Sequence, residues 1–348
     1  MTYRLAELTK GRLPKLLEES APVEAWEAKR EKILAEWLGF LGKPPAEGLY
    51  EASEGDAGYE VLEEAAEEDH RRLSIRYATR DGDQVTALLL LPLGREGKRP
   101  AVLALHPTSP EGKEDVALAS GRENRRYGLE LVSRGYIVLA PDTITAGERV
   151  YPGSEPYQTA PFYEQHPEWT AVGKMLADHI RAVDLLAALP DADASRIGAI
   201  GHSLGGYNGW FLAGLDRRVR VVVSSCGFSS FAGDPDPNRW GQRDWFSHFP
   251  QLTAMLERGE VPFEWHEIAA LALPTPLFLW SGIRDRIFPN WEGIAEAMTE
   301  LDALYQAEAE PGSFEFWMGP AGHDFPSRAR ELAYSFLDRH LQPPLCQG

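Results

Sequence analysis

The chain is predicted to be an α/β protein, with a mostly parallel central sheet covered by helices on both faces. Three observations predict this. From Pro100 onward, nearly continuous apolar runs alternate with amphipathic stretches, the pattern of parallel strands buried by crossover helices. A length of 348 residues suits one decorated domain better than several small ones. Finally, Gly201-His202-Ser203-Leu204-Gly205 follows the apolar run Ile197 to Ile200 and precedes a helix-like stretch, which puts Ser203 on a strand-turn-helix corner.

In chain order, Trp26, Ile33, Leu34, Trp37, Leu38 and Leu41 recur at three- and four-residue steps, predicting an amphipathic helix between Pro22 and Gly42, closed by Gly42 and Pro44. Tyr59 to Pro92 alternates in places and contains the turn signal Asp81-Gly82-Asp83, as expected of an antiparallel pair or meander opening a sheet. Strands are then expected at Ala101 to Leu105, Tyr136 to Ala140, Ile197 to Ile200, Val219 to Ser224, Leu277 to Trp280 and Phe314 to Trp317. The clearest helix runs from Trp169 to Leu189, where Val172, Met175, Leu176, Ile180, Val183 and Leu186 share a face. Two aromatic intervals break the rhythm on the edge where the nucleophile emerges, and both read as parts of a lid. The organisation expected is an N-terminal helical extension over 1–55 and a catalytic domain over 56–348, with lid-like insertions at about 147–165 and 227–271.

A formal net charge of −18 and a pI near 5.0 argue against nucleic-acid or anionic-membrane partners, because phosphates are repelled over most of such a surface. No run approaches the roughly 18 apolar residues of a membrane span. Cys226 and Cys346 do not make a disulfide framework, so a reducing cytoplasm is the default location. Neither a His-Glu-x-x-His helix nor paired cysteines mark a metal, and the glycines after Ser203 lack the lysine of a phosphate-binding loop, so no cofactor is expected. Oligomeric state is left open.

A serine hydroxyl is a poor nucleophile at neutral pH, so it needs a base, and the base needs an orienting carboxylate. Each should follow a strand's carboxyl end. Asp285 follows Leu277 to Trp280 and His323 follows Phe314 to Trp317, giving the chain order Ser203, Asp285, His323. Asp142, after Tyr136 to Ala140, is a rival for the carboxylate, whereas Asp324 adjoins the histidine and reaches its ring poorly. His202 is expected to pack or hydrogen-bond locally. Two donors should face the oxyanion: the backbone N–H of Leu204 at the helix start, and one from His106-Pro107-Thr108-Ser109. Pro107 has no N–H, so Thr108 is chosen, with Ser109 one residue away. His106, Phe228, Trp240 and Trp245 are expected to border the substrate pocket.

The motifs Leu105-His106-Pro107-Thr108, Gly201 to Gly206 and Gly322-His323-Asp324-Phe325-Pro326 resemble the α/β-hydrolase superfamily, over about Pro100 to His340, and within it the dienelactone-hydrolase-like branch with its acetyl xylan esterase-like serine hydrolases. Two departures stand out: Ser203 stands where true dienelactone hydrolases use a cysteine, and His106-Pro107 where the branch often shows His-Gly. The resemblance implies an eight-stranded, mostly parallel sheet, a Ser-His-Asp triad, no cofactor and ester hydrolysis. The function expected is a serine carboxylic-ester hydrolase acting through an acyl-enzyme on small or medium esters such as acetyl esters. A peptidase acting on short peptides and a non-catalytic binding protein are the alternatives.

Overall fold

A computed structural model describes residues 2–8, 12–17, 24–53, 57–94 and 97–342. Cys346 and the expected helix start at Pro22 lie outside the described residues.

The apolar runs form the strands that their composition predicts. Nine strands make one sheet: β1 (Glu60–Ala66), β2 (His70–Ala78), β3 (Gln84–Pro92), β4 (Arg99–Leu105), β5 (Ile137–Pro141), β6 (Ala192–His202), β7 (Val219–Ser225), β8 (Leu277–Gly282) and β9 (Phe314–Gly319). Their spatial order is β9-β8-β7-β6-β4-β5-β3-β2-β1. The six strands from β4 to β9 are mutually parallel, and β3, β2 and β1 join antiparallel as a meander. This is the α/β-hydrolase fold.

The expected eight strands become nine because of β1. It lies at the sheet edge, almost wholly exposed, and its register slips between Val61 and Glu63. Its face lacks the apolar alternation that marks a strand, carrying instead Glu60 and Glu64, which meet Arg76 and Arg71 of β2. Charge and a bulge on an edge discourage pairing with a second sheet.

Successive strand residues point to opposite faces, so each strand feeds two cores. Ala101, Leu103, Leu105, Ile137 and Leu139 pack on one side with helices α3 (Ala171–Ala188), α4 (Leu204–Leu215) and α5 (Trp291–Glu308). Val102, Ala104, Val138 and Ala140 pack on the other with α2 (Tyr127–Ser133) and α6 (Ser327–Leu341). Thr170 caps α3, its hydroxyl accepting from the N–H of Gly173 at 3.0 Å.

The first core extends to the N-terminal helix α1 (Glu24–Phe40), whose Trp26, Ile33, Trp37 and Phe40 are buried in it. Trp37 meets Phe211 of α4 at 4.7 Å between ring centroids and both Phe249 and Phe263 of the aromatic interval at 5.7 Å. Trp37 therefore joins three separate segments. Trp37→Ala is expected to lower the unfolding free energy by about 3–5 kcal/mol in denaturant titration, through lost contact and the cavity left behind. A loss below about 1 kcal/mol would show that α1 lies outside the cooperative unit.

Candidate active site

β6 ends at His202, and the chain turns at Ser203 with φ 53° and ψ −116° before α4 begins at Leu204. A side chain in that left-handed region is strained, so the surroundings must hold it. They do so by close approach. A Cβ on Gly201 would lie 2.2 Å from the carbonyl carbon of Gly205, and one on Gly205 would lie 2.0 Å from the carbonyl oxygen of Leu105. Only glycine lets strand β4 and the start of α4 come that near. The N–H of Ser203 also donates to the carbonyl of Ser225 at 2.8 Å, tying the turn to the end of β7.

His323 follows β9 and Asp285 follows β8, and the structure brings them together: the His323 Nδ1–H donates to Asp285 Oδ2 at 2.7 Å. The other carboxylate oxygen accepts from the N–H groups of Ile287 at 2.7 Å and Phe288 at 3.2 Å. Burial alone would raise the Asp285 carboxyl, but the bond and charge of His323, with those two N–H groups, outweigh it and hold the carboxyl below its usual range. It stays ionised beside the ring. With Nδ1 committed, Nε2 is the nitrogen left to take up a proton.

The rivals are occupied elsewhere. Asp142 accepts from the Lys113 ammonium at 2.6 Å, the Lys113 N–H at 2.8 Å and the Thr86 hydroxyl at 3.0 Å. Asp324 Oδ1 accepts from its neighbour Phe325 N–H at 2.8 Å and from the Asn124 amide. His202 is fully buried against Ser225, with 3.0 Å between Nδ1 and Oγ, and its ring lies 4.9 Å from that of His323. Burial first, and the neighbouring His323 second, depress its pKa well below the usual histidine value, so it stands neutral behind His323.

Cys226 backs the same pair, and its Sγ with ligand atoms of Asp285 and His323 all lie within 4.8 Å of one another. Burial, then the Asp285 charge, push its thiol up to about 12. A protonated thiol is a poor metal ligand, and the two other groups already bond each other, so the cluster is a hydrogen-bonded histidine–aspartate pair with a packed thiol behind it.

Ser203 and His323 open into one cavity of about 260 Å³. Pro107, Thr108, Trp240 and Trp245 line it, together with Tyr207, Phe246, His248, Ile287, Phe288 and three arginines. His106 and Phe228, expected at the pocket, do not line it. Phe228 turns inward against Trp210, with 5.7 Å between ring centroids. His106 turns under its own loop: Nε2 accepts from the Thr143 N–H at 3.0 Å, so Nδ1 carries the proton and donates to the carbonyl of Pro107 at 2.7 Å. Burial holds this ring neutral. It braces the loop rather than meeting a ligand. Tyr157 does the same from outside, accepting from the Ser109 N–H at 2.8 Å while its hydroxyl reaches the carbonyls of Pro107 and Ser109 at 3.1 and 3.0 Å.

Tyr207 and His248 went unrecognised in the sequence. Their side chains pair at 2.5 Å, between the phenol oxygen and Nε2. Tyr207 lies one helical turn beyond Ser203 on α4, so the four-residue spacing was a usable signal; His248 comes from a distant loop and offered none.

A serine at a strained strand-to-helix turn, sharing a cavity with a histidine paired with a buried aspartate, on this sheet, is the arrangement of a serine hydrolase of the α/β-hydrolase superfamily. The model of the prolyl oligopeptidase family matches residues 126–342, more than half of the chain, and the protein belongs to that family. A protein of Bacillus subtilis (strain 168) named as a hydrolase, YtaP, is 28% identical over 61% of this chain and 67% of its own length. Among solved structures, a glucuronoyl esterase from Solibacter usitatus superposes with a TM-score of 0.69 at 19% identity, covering 96% of this chain and 99% of its own. Acetyl xylan esterase 1 from Thermoanaerobacterium sp. JW/SL YS485 does so with a TM-score of 0.61 at 17% identity, covering 91% and 98%. At these identities the likeness is one of fold. Among the described residues no helix is long and apolar enough to cross a membrane.

Because the folded-state pKa of Asp285 is depressed, the stability it contributes is complete above the ordinary carboxyl pKa of about 3.9 and is lost as pH falls through the lower folded value. Asp285→Asn should therefore flatten the acid limb of unfolding free energy against pH below about 4 relative to wild type, measured by denaturant titration at each pH. Limbs that superpose would mean that the charge pair contributes no acid-sensitive stability.

Proposed function

We propose that the protein is a serine carboxylic-ester hydrolase that works through an acyl-enzyme. One observation carries the reading: Ser203, on its strained turn, shares a cavity with His323, whose ring is bonded to the ionised Asp285. In this reading Ser203 attacks the ester carbonyl while His323 takes its proton at Nε2. Asp285 fixes the tautomer and offsets the imidazolium charge, and the histidine then returns the proton to the departing alcohol. Water, activated by the same histidine, releases the acid.

The N–H groups of Leu204 and Thr108 are assigned to the oxyanion. Leu204 opens α4, where amide groups lack intrahelical partners. Thr108 lines the cavity, and the neighbouring Ser109 N–H is already committed to Tyr157. The two aromatic intervals, about 147–165 and 227–271, act as the lid of a 56–348 catalytic domain, with 1–55 as an extension braced against it.

Ester substrates are favoured because the glucuronoyl and acetyl xylan esterases that share the fold act on esters by name. A cavity of about 260 Å³ suits small or medium acyl groups such as acetyl. A second reading, cleavage of short peptides, rests on the family's own name and on the ability of such a triad to cleave amides. Cysteine usage favours a cytoplasmic location.

The test is hydrolysis of p-nitrophenyl acetate and butyrate by wild type and Ser203→Ala, with dipeptide p-nitroanilides in parallel and circular dichroism on both proteins. Ester turnover should fall by about four orders of magnitude or more in a folded variant. Turnover of anilides but not esters would replace the esterase reading with the peptidase one, and residual ester turnover within tenfold of wild type would remove Ser203 as nucleophile.

A further inference from the structure

Three arginines, Arg125, Arg239 and Arg243, line the cavity that holds Ser203 and His323. In a chain of net charge −18 this concentrates positive charge at the one place where substrate must enter. Two of the three are neutralised within the protein. Arg125 pairs with the buried Asp115 at 3.3 Å, and Arg239 grips Asp234 through Nε at 3.1 Å and Nη2 at 2.6 Å.

Arg243 differs. Its Nε donates to the carbonyl of Phe246 at 2.9 Å, and its guanidinium carbon lies 4.7 Å above the ring of Trp245. Among the described residues it makes no ion pair, and its two terminal nitrogens make no hydrogen bond. The residue is nevertheless fixed in place: its N–H donates to the Ser247 hydroxyl at 2.9 Å, which in turn donates to the Arg243 carbonyl at 3.0 Å. Backbone, Nε and ring face are all held, so the free edge of the guanidinium is presented with little rotamer freedom left to lose.

Burial holds the Arg243 pKa below the usual arginine value, with Tyr207 and Asp236 opposing that shift and Arg239 adding to it. A half-buried cation without a carboxylate partner is a group that an incoming anion stabilises. Trp240, Phe246 and Phe288 supply an apolar part of the lining that would pack the body of a ligand.

We propose that Arg243 docks an oxyanion carried by the substrate, so that the site prefers esters bearing a carboxylate or phosphate away from the bond that is cleaved. The inference rests on the esterase reading of the same cavity. The planar fork of a guanidinium matches either group with two parallel N–H donors, whereas a neutral ester leaves that edge solvated only by water.

The test compares kcat/KM for matched substrates: p-nitrophenyl butyrate against p-nitrophenyl hemiglutarate for the acyl side, and phenyl acetate against 4-acetoxybenzoate and 4-acetoxyphenyl phosphate for the alcohol side. In wild type one charged substrate should exceed its neutral partner, and added salt should shrink that ratio. Arg243→Gln should lower the ratio by about ten- to a hundredfold, chiefly through KM, and Arg243→Lys, which keeps the charge but loses the fork, by less. Preference for the carboxylate or for the phosphate supports the docking role and identifies its ligand.

Ratios near one in wild type, a ratio that salt does not move, or a ratio unchanged in a folded variant would each overturn it. The wild-type salt series and the lysine variant keep the proposal open to refutation even where the glutamine variant misfolds. A folded wild type inert toward every ester overturns the esterase reading and this inference together; good hydrolysis of neutral esters without charge preference overturns this inference alone.

Discussion

The close approach of three backbone segments at Ser203 is the constraint on which the rest of the site depends. β4, β6 and the first turn of α4 meet at Gly201 and Gly205 with no room for a single carbon between them. That contact holds a serine in a backbone conformation it would not adopt in a free chain, and it lifts the hydroxyl clear of the sheet. The contact exists because β4 and β6 are adjacent parallel strands, paired from Ala101 with Ile197 to Leu105 with Gly201. The position of Ser203 is therefore a property of the sheet register, and the long apolar strands that fix the register also fix where that serine stands.

The His323–Asp285 pair is built on the same principle from the other side. β8 and β9 are neighbours in parallel register, so the loops at their carboxyl ends emerge side by side and deliver Asp285 and His323 to hydrogen-bonding distance. Neutral groups fill the space behind them. His202 and the Cys226 thiol are both held uncharged by burial, and a low-polarity backing strengthens the His323–Asp285 hydrogen bond in front.

The strands were legible because burial on both faces demands continuous apolar runs: five of the six predicted parallel strands lie within observed ones, and the sixth, Tyr136 to Ala140, begins one residue before the observed Ile137–Pro141. The residues of the elbow and of the two following loops were legible for a related reason: each sits immediately after such a run. β1 was legible only as part of the stretch read as an antiparallel pair or meander, since its apolar residues do not alternate with its glutamates and mark no buried face. The pocket residues divide along the same line. Trp240 and Trp245 were found as aromatics in an irregular interval, but whether a ring points to the cavity or into the core is decided by tertiary packing, and Phe228 and His106 went inward. Arg125 comes from a segment distant from Arg239 and Arg243, and no local pattern distinguishes Arg243 from the many other arginines until its missing partner is seen in three dimensions.

Tyr157 has a consequence for how this enzyme can diversify. A single phenol oxygen, from the middle of the first aromatic interval, is bonded to both ends of the Pro107 to Ser109 loop. That interval is thereby yoked to a loop that lines the cavity, and insertions there disturb both together. The second interval supplies the cavity with the side chains of Trp240, Arg243, Trp245, Phe246 and His248. Exchanging those side chains retunes what the cavity accepts while leaving the bonds from Tyr157 to the Pro107 to Ser109 loop in place.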